Sequence, residues 1–284
     1  MKSIKILPMM IIVLFLISCS MLGAGQRIRL SFSGPVIIDH TCTDLSRIPD
    51  EWIGAIKSNI RWYYAHTSHG EQLTIGLQEI KKPDSKYDVA IDRKWLPDKR
   101  GALCILDNPY AGPDDYWKGK KGIRRTEDIT DGFPINISMW SWCGQAENYT
   151  EKQVQEYLDT INMLQKSHPE ITFVYITGNA QQGGKKGYNR YLRNNQIRKW
   201  VKDHPEKNRV LFDFADLDSW WYNPDTLKWE QATYKYWNNT EYVDVPIEHP
   251  HYRGNVRAHT TLESCRQKGK AVWWMLAMLA GWKL

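Results

Sequence analysis

The chain has 284 residues, with 38 Lys and Arg against 32 Asp and Glu. The excess of positive charge is scattered, and "KGKKGIRR" (Lys118 to Arg125) is the only dense basic run; it reads as a solvated loop, so nucleic acid is not an expected partner. Fourteen tryptophans and fifteen tyrosines suit stacking on the C–H faces of sugars, and suit a protein core equally well.

In chain order, "MKSIKILPMMIIVLFLISCS" comes first. Lys2 and Lys5 precede an apolar run from Ile6 to Ile17, and Ser18-Cys19 follows. A charged start, an apolar stretch of this length and a small residue before the cut describe an export signal over residues 1–18. The run falls short of the ~20 apolar residues of a membrane span. "LISC" resembles the bacterial lipobox, which implies lipidation of Cys19, a tether over 19–34 and a cell-envelope location, with Ser20 favouring the outer membrane. The alternative is a plain signal peptide cut near "LGAG". On the lipoprotein reading, contact with the membrane is through the anchor only. The remaining ~265 residues suffice for one large domain or two small ones, and one domain over 35–284 is expected. Cys42, Cys104, Cys143 and Cys265 permit disulfides in an oxidising compartment, and none forms a CxxC pair.

"PVIIDH" (35–40) reads as a short strand and "SRIPDEWIGAIKSNI" as holding a helix. "IRWYYAH" (60–66) is a strand, and "GEQLTIGLQEIKK" is a helix with Leu73, Leu77 and Ile80 on one face. Further strands are expected in "GALCILD" (101–107), "FPINISMWSW" (133–142), "ITFVYITG" (171–178) and "RVLFDFAD" (209–216). Helices are expected after the capping box Thr150–Gln153, ending at His168-Pro169, and over "GYNRYLRNNQIRKWVKDH" and "LESCRQKGKAVWWMLAMLAGW". Apolar strands alternating with helices predict an α/β, three-layer sandwich with a mainly parallel five-stranded sheet. Residues 217–258, rich in Trp, Tyr and Asn, read as a long insertion.

Ligands of such sheets gather at the carboxyl ends of the strands. There stand Ser68 in "HTSHG", then "SWCGQ", "TGN" and "DFADLDSW". A serine becomes a nucleophile when a base takes its proton and nearby donors stabilise the oxyanion; the start of a helix supplies free N–H groups. His259, just before the last helix, is the expected base, and Gln145 or the Gly144 N–H the expected oxyanion donor. The plainer readings are a helix cap for Ser68, a left-handed turn for Asn179, and loop caps or a cation site for Asp213, Asp216 and Asp218. His66, His69, His249, His251 and His259 also raise a metal-dependent hydrolase as an alternative, although their spacing matches no zinc-protease motif.

The layout resembles the SGNH (GDSL-type) hydrolase superfamily, flavodoxin-like proteins that are mostly esterases. "AHTSHGEQLTIGL" occupies the nucleophile block, "MWSWCGQ" the oxyanion asparagine block and "AHTTLESC" the histidine block, over roughly residues 60–284. The resemblance implies Ser68 and His259 as catalytic residues, Gln145, Gly144 and Gly112 as oxyanion residues, and no cofactor. The sequence departs from the family in having His66-Thr67 for Gly-Asp, Gln145 for the asparagine, and Val256 where an acid is usual. Asp244, Glu248 or Glu263 would have to substitute, or a Ser–His dyad suffice. The expected activity is hydrolysis of an esterified (acetylated) glycan, with His66, His69, Trp142 and Asn179 contacting substrate and Trp140, Trp142, Trp220 and Trp221 offering a sugar platform. The alternative without catalysis is a glycan-binding surface lipoprotein.

Overall fold

Strands whose side chains are apolar on both faces need cover on both faces, and the chain provides it by alternating strands with helices. The computed structural model describes residues 27–204 and 208–283; the expected export signal over 1–18 and Cys19 lie outside the described residues. Its main sheet has seven strands: β1 (Val36–Ile38), β2 (Arg61–His66), β3 (Val89–Asp92), β4 (Leu103–Pro109), β5 (Ile137–Ser141), β6 (Thr172–Ile176) and β7 (Val210–Phe212). Every pairing is parallel, in the order β1-β7-β6-β5-β2-β4-β3. The five expected strands form the centre, in the flavodoxin-like order 2-1-3-4-5. The count of five was two short. The short strand read at 35–40 joins one edge as β1, and β3, four residues with a half-exposed pattern, joins the other.

Seven α-helices stand among the described residues: α1 (Asp50–Asn59), α2 (Glu71–Lys81), α3 (Gly119–Gly132), α4 (Glu151–Ser167), α5 (Gly184–Lys202), the short α6 (Phe214–Ser219) and α7 (Leu262–Ala280). The contacts group α1, α2 and α7 on one face and α3, α4 and α5 on the other, as right-handed crossovers require. The capping box opens α4 as expected, Thr150 Oγ1 accepting from the Gln153 N–H and Gln153 Oε1 from the Thr150 N–H at 2.8 Å. "KGKKGIRR" is not a loop but the first two turns of α3; Gly122, Thr126 and Thr130 face inward, a pattern too weakly apolar to read as a periodic face. The third and fifth predicted strands are shorter than expected, because Asp213 ends β7 by capping α6 and only 137–141 of "FPINISMWSW" pairs.

On one face of the sheet α2 packs closely against α7. Gly76 and Gly269 face each other there, and a Cβ on Gly76 would lie 1.9 Å from the Cys265 carbonyl oxygen. Only hydrogen in place of a side chain allows the two helices this approach. The described part of the expected tether is packed down: Leu30 and Phe32 touch the core, and Asn136 Nδ2 donates to the Ile28 carbonyl at 3.0 Å. Residues 220–257 form hairpins β8–β9 (Trp220–Asn223, Lys228–Gln231) and β10–β11 (Thr233–Trp237, Tyr242–Pro246), then β12 (Arg253–Arg257). No helix among the described residues is long and apolar enough to cross a membrane.

Candidate active site

β2 sits between β4 and β5, where the order of winding reverses, so the loops after β2 and β5 leave in neighbouring positions and open a crevice. The first carries Thr67-Ser68-His69-Gly70, the second Trp142-Cys143-Gly144-Gln145. Gly70 lets the first loop turn tightly: a Cβ there would be 2.4 Å from that of His66 and 2.9 Å from that of Ser141. Tyr64, buried in β2, donates its hydroxyl to the Gly70 carbonyl at 2.9 Å.

The two loops bring together three side chains. Cys143 Sγ lies 2.9 Å from His69 Nδ1 and 3.1 Å from Ser68 Oγ. His69 Nε2 lies 2.6 Å from Gln181 Oε1, and the Gln181 amide nitrogen donates to the His259 carbonyl. A carboxamide oxygen only accepts, so Nε2 carries a proton and Nδ1 is the nitrogen that exchanges one with the thiol. Burial pushes the Cys143 thiol up, but the His69 ring, by hydrogen bond and charge, and the Ser68 hydroxyl outweigh it and bring the thiol from 9.0 down to about 7. Burial pushes His69 down, yet its bond to Cys143 and the thiolate's charge leave it above its ordinary value. Both shifts favour a thiolate–imidazolium pair, the activated form of a cysteine nucleophile.

Neighbouring groups hold this pair. Asn179 Nδ2 donates to the Cys143 carbonyl at 2.9 Å, and Asn179 Oδ1 accepts from the buried Arg190 guanidinium at 2.5 Å and from the Gln181 N–H at 3.1 Å. Arg190 also reaches Glu147 at 3.1 Å. Below Gln181, the fully buried Lys268 pairs with Asp218 at 2.7 Å, while Asp218 accepts the Ala180 N–H at 2.8 Å. Burial, then the charge of Asp218, holds the Glu248 carboxyl well above its usual range.

Several expectations change. Ser68 is neither a helix cap nor hydrogen-bonded to His259; its hydroxyl points to Cys143, and Thr67 holds the capping position without a side-chain bond. His259 is exposed, stacks on the His69 ring at 4.7 Å, and is pushed below its ordinary pKa by burial and by His69. His66 is buried with Nε2 on Asp107 at 3.0 Å, which removes it from substrate. Gln145 Oε1 accepts the Cys143 N–H at 2.6 Å, so that N–H is occupied and only the carboxamide NH2 and the Gly144 main chain are left as donors. The Gly112 N–H is committed to Asp115 at 3.2 Å. Asn179 is 2% exposed and tied to protein on both sides; it positions loops and does not take a left-handed turn. Trp140 and Trp142 are each 1% exposed and belong to the core, their indole N–H groups on the Ala111 and Ile176 carbonyls. Trp220 has one face covered by His40 at 4.4 Å.

The five histidines do not gather as one metal site: His249 and His251 stack on Trp221, His259 stacks on His69, and His66 bonds Asp107. Asp39, His40 and Asp216 offer donor atoms within 4.8 Å of one another, but His40 Nδ1 already bonds Asp216 at 2.6 Å and Asp39 bonds Thr41. Asp213 ion-pairs with Arg198 and Asp218 with Lys268. Cys42, Cys104, Cys143 and Cys265 are all free thiols, so the disulfides the count permitted are not formed. The residues the sequence reading missed are Cys143 and Gln181. Cys143 carries the same positional signal as Ser68, the carboxyl end of a central strand, and in sequence it also suits half of a disulfide. No family model and no curated protein sequence matches this chain.

Proposed function

We propose that the protein is an exported acyl hydrolase, acting on esters or thioesters, with Cys143 as its nucleophile and His69 as its acid–base. The observation that carries this reading is the 2.9 Å contact between Cys143 Sγ and His69 Nδ1 at the carboxyl ends of adjacent strands. In the reaction the thiolate attacks the acyl carbon, forming a C–S bond and an oxyanion. The Gly144 N–H and the Gln145 carboxamide are the donors for that oxyanion, a type of contact worth about 3–4 kcal/mol when removed. His69 then gives its Nδ1 proton to the departing oxygen or sulfur, leaving a thioester on Cys143. It next takes a proton from water, whose attack releases the acid and restores the thiolate. Gln181 keeps the ring in the required tautomer, and Ser68 donates to the thiolate. Export and lipidation at Cys19 form part of the proposal on the strength of the N-terminal sequence.

A second reading keeps Ser68 as the nucleophile of an SGNH-like esterase. It is supported by the order of the central strands and by the half-buried Ser68 hydroxyl beside the His69–His259 stack. The two are separated by incubating the protein with p-nitrophenyl acetate, quenching in acid and mapping the acetyl group. Acetyl on Cys143, released by neutral hydroxylamine and missing in Cys143→Ala, is expected. An adduct on Ser68 that persists in Cys143→Ala transfers the role to serine. Folded protein showing neither adduct nor turnover refutes hydrolysis altogether.

A further inference from the structure

A cleft of about 790 Å³ lies outside the Cys143 crevice, between residues 41–46, the β8–β9 hairpin and the first half of α7. Its volume falls within the range of small-ligand sites. The walls combine aromatic rings with charged side chains of both signs. Trp221, Tyr222 and Trp229 line it from the hairpin, and Asp44, Glu263, Arg266 and Lys270 from the other two sides. Trp221 is held rigid: its indole N–H donates to Glu263 at 2.9 Å, and His251 lies flat on one face at 3.8 Å. Tyr222 is 43% exposed and packs edge-on against Trp229, with ring centroids 5.4 Å apart. Two of these residues are acidic and two basic, so the cleft offers donors and acceptors without a net charge to select an ion.

Rigid aromatic faces beside balanced donors and acceptors match a ligand with apolar C–H faces and a rim of hydroxyls. We infer that this cleft binds a neutral oligosaccharide. It is linked to the catalytic crevice through one short segment: His249 stacks on Trp221, while Glu248, beside it in the chain, accepts from the Thr260 hydroxyl at 3.0 Å, and His259, the residue before Thr260, stacks on His69. A glycan seated here would present its ester-bearing units toward Cys143. Only that last role rests on the acyl-hydrolase reading; binding itself does not.

The test is isothermal titration of Cys143→Ala protein with cellohexaose, xylohexaose, mannohexaose and chitohexaose. Cys143→Ala abolishes turnover, so a failed hydrolase reading leaves the binding measurement intact. The expected result is saturable binding of at least one hexaose, weakened at least ten-fold by Trp229→Ala and by Tyr222→Ala. Tyr222 is the safeguard, since its exposed ring can be removed even if loss of Trp229 disturbs the hairpin. Binding of none of the four, or binding unchanged by both substitutions, overturns the inference.

Discussion

Replacing His69 by alanine removes the ring that lowers the Cys143 thiol while leaving the burial that raises it. The Ser68 hydroxyl and the main chain at residue 69 still act on it, and against burial they bring the thiol back from about 7 to roughly its ordinary 9.0. At pH 7 the ionised fraction falls from about one half to about one hundredth, a loss of roughly 50-fold. The thiolate that remains is more basic, and a Brønsted slope of about 0.45 over two pH units makes it about 8-fold more reactive toward a disulfide. Exchange with 5,5′-dithiobis(2-nitrobenzoate) should thus be about 6-fold slower than wild type at pH 7, equal near pH ~8 and about 7-fold faster near pH ~10. Stopped-flow absorbance with peptide mapping checks it; Cys42 and Cys265, buried and pushed up to about 11, contribute little near neutrality. A variant equal to wild type at pH 7 would refute the activated pair, and one slower throughout would mean that the site had merely collapsed.

Ser68→Ala removes one charge-assisted donor to the sulfur, worth about 1.5 kcal/mol, so the midpoint of the same exchange profile should rise from about 7 toward 8; a serine nucleophile would instead lose all turnover with the thiol unchanged. Gly76→Ala gains about 1 kcal/mol of helix propensity but forces a methyl group to 1.9 Å from the Cys265 carbonyl oxygen, and overpacking of this kind costs about 3 kcal/mol. Net loss of about 2 kcal/mol in urea unfolding is expected, and a gain would mean the helices can part freely. Trp142→Ala should cost about 3–5 kcal/mol of stability, because the ring is buried. Its loss should leave hexaose binding in folded protein unaltered; selective loss of binding would restore Trp142 to the substrate.

The amphipathic stripes of α1, α2 and α4, the capping box at Thr150 and the apolar runs of the five central strands are local features, so the layer architecture was legible from the chain alone. Edge strand β3 was not, because four half-exposed residues carry almost no pattern. Nor was α3, whose inward face is Gly122, Thr126 and Thr130. The end of the sheet bearing the site was also inferable, since parallel topology directs every βα loop to one side.

Which of the residues there meet was decided by tertiary structure. Ser68, Cys143 and His259 stand equally well placed in sequence, and 75 residues separate the first two. Their roles follow from angles that no local spacing encodes. The approach of α2 to α7 through Gly76 and Gly269, and of the Gly70 turn to β5, turns His69 onto the Cys143 sulfur. Tryptophan posed the same problem, because a ring suits a core or a sugar equally well, and burial alone sends Trp140 and Trp142 inward and leaves Trp221 lining the cleft. The sequence by itself thus determined the layers and the end of the sheet where chemistry would gather. The choice of nucleophile depended on packing, because a thiol is activated by groups a few ångströms away in space, however distant they are along the chain.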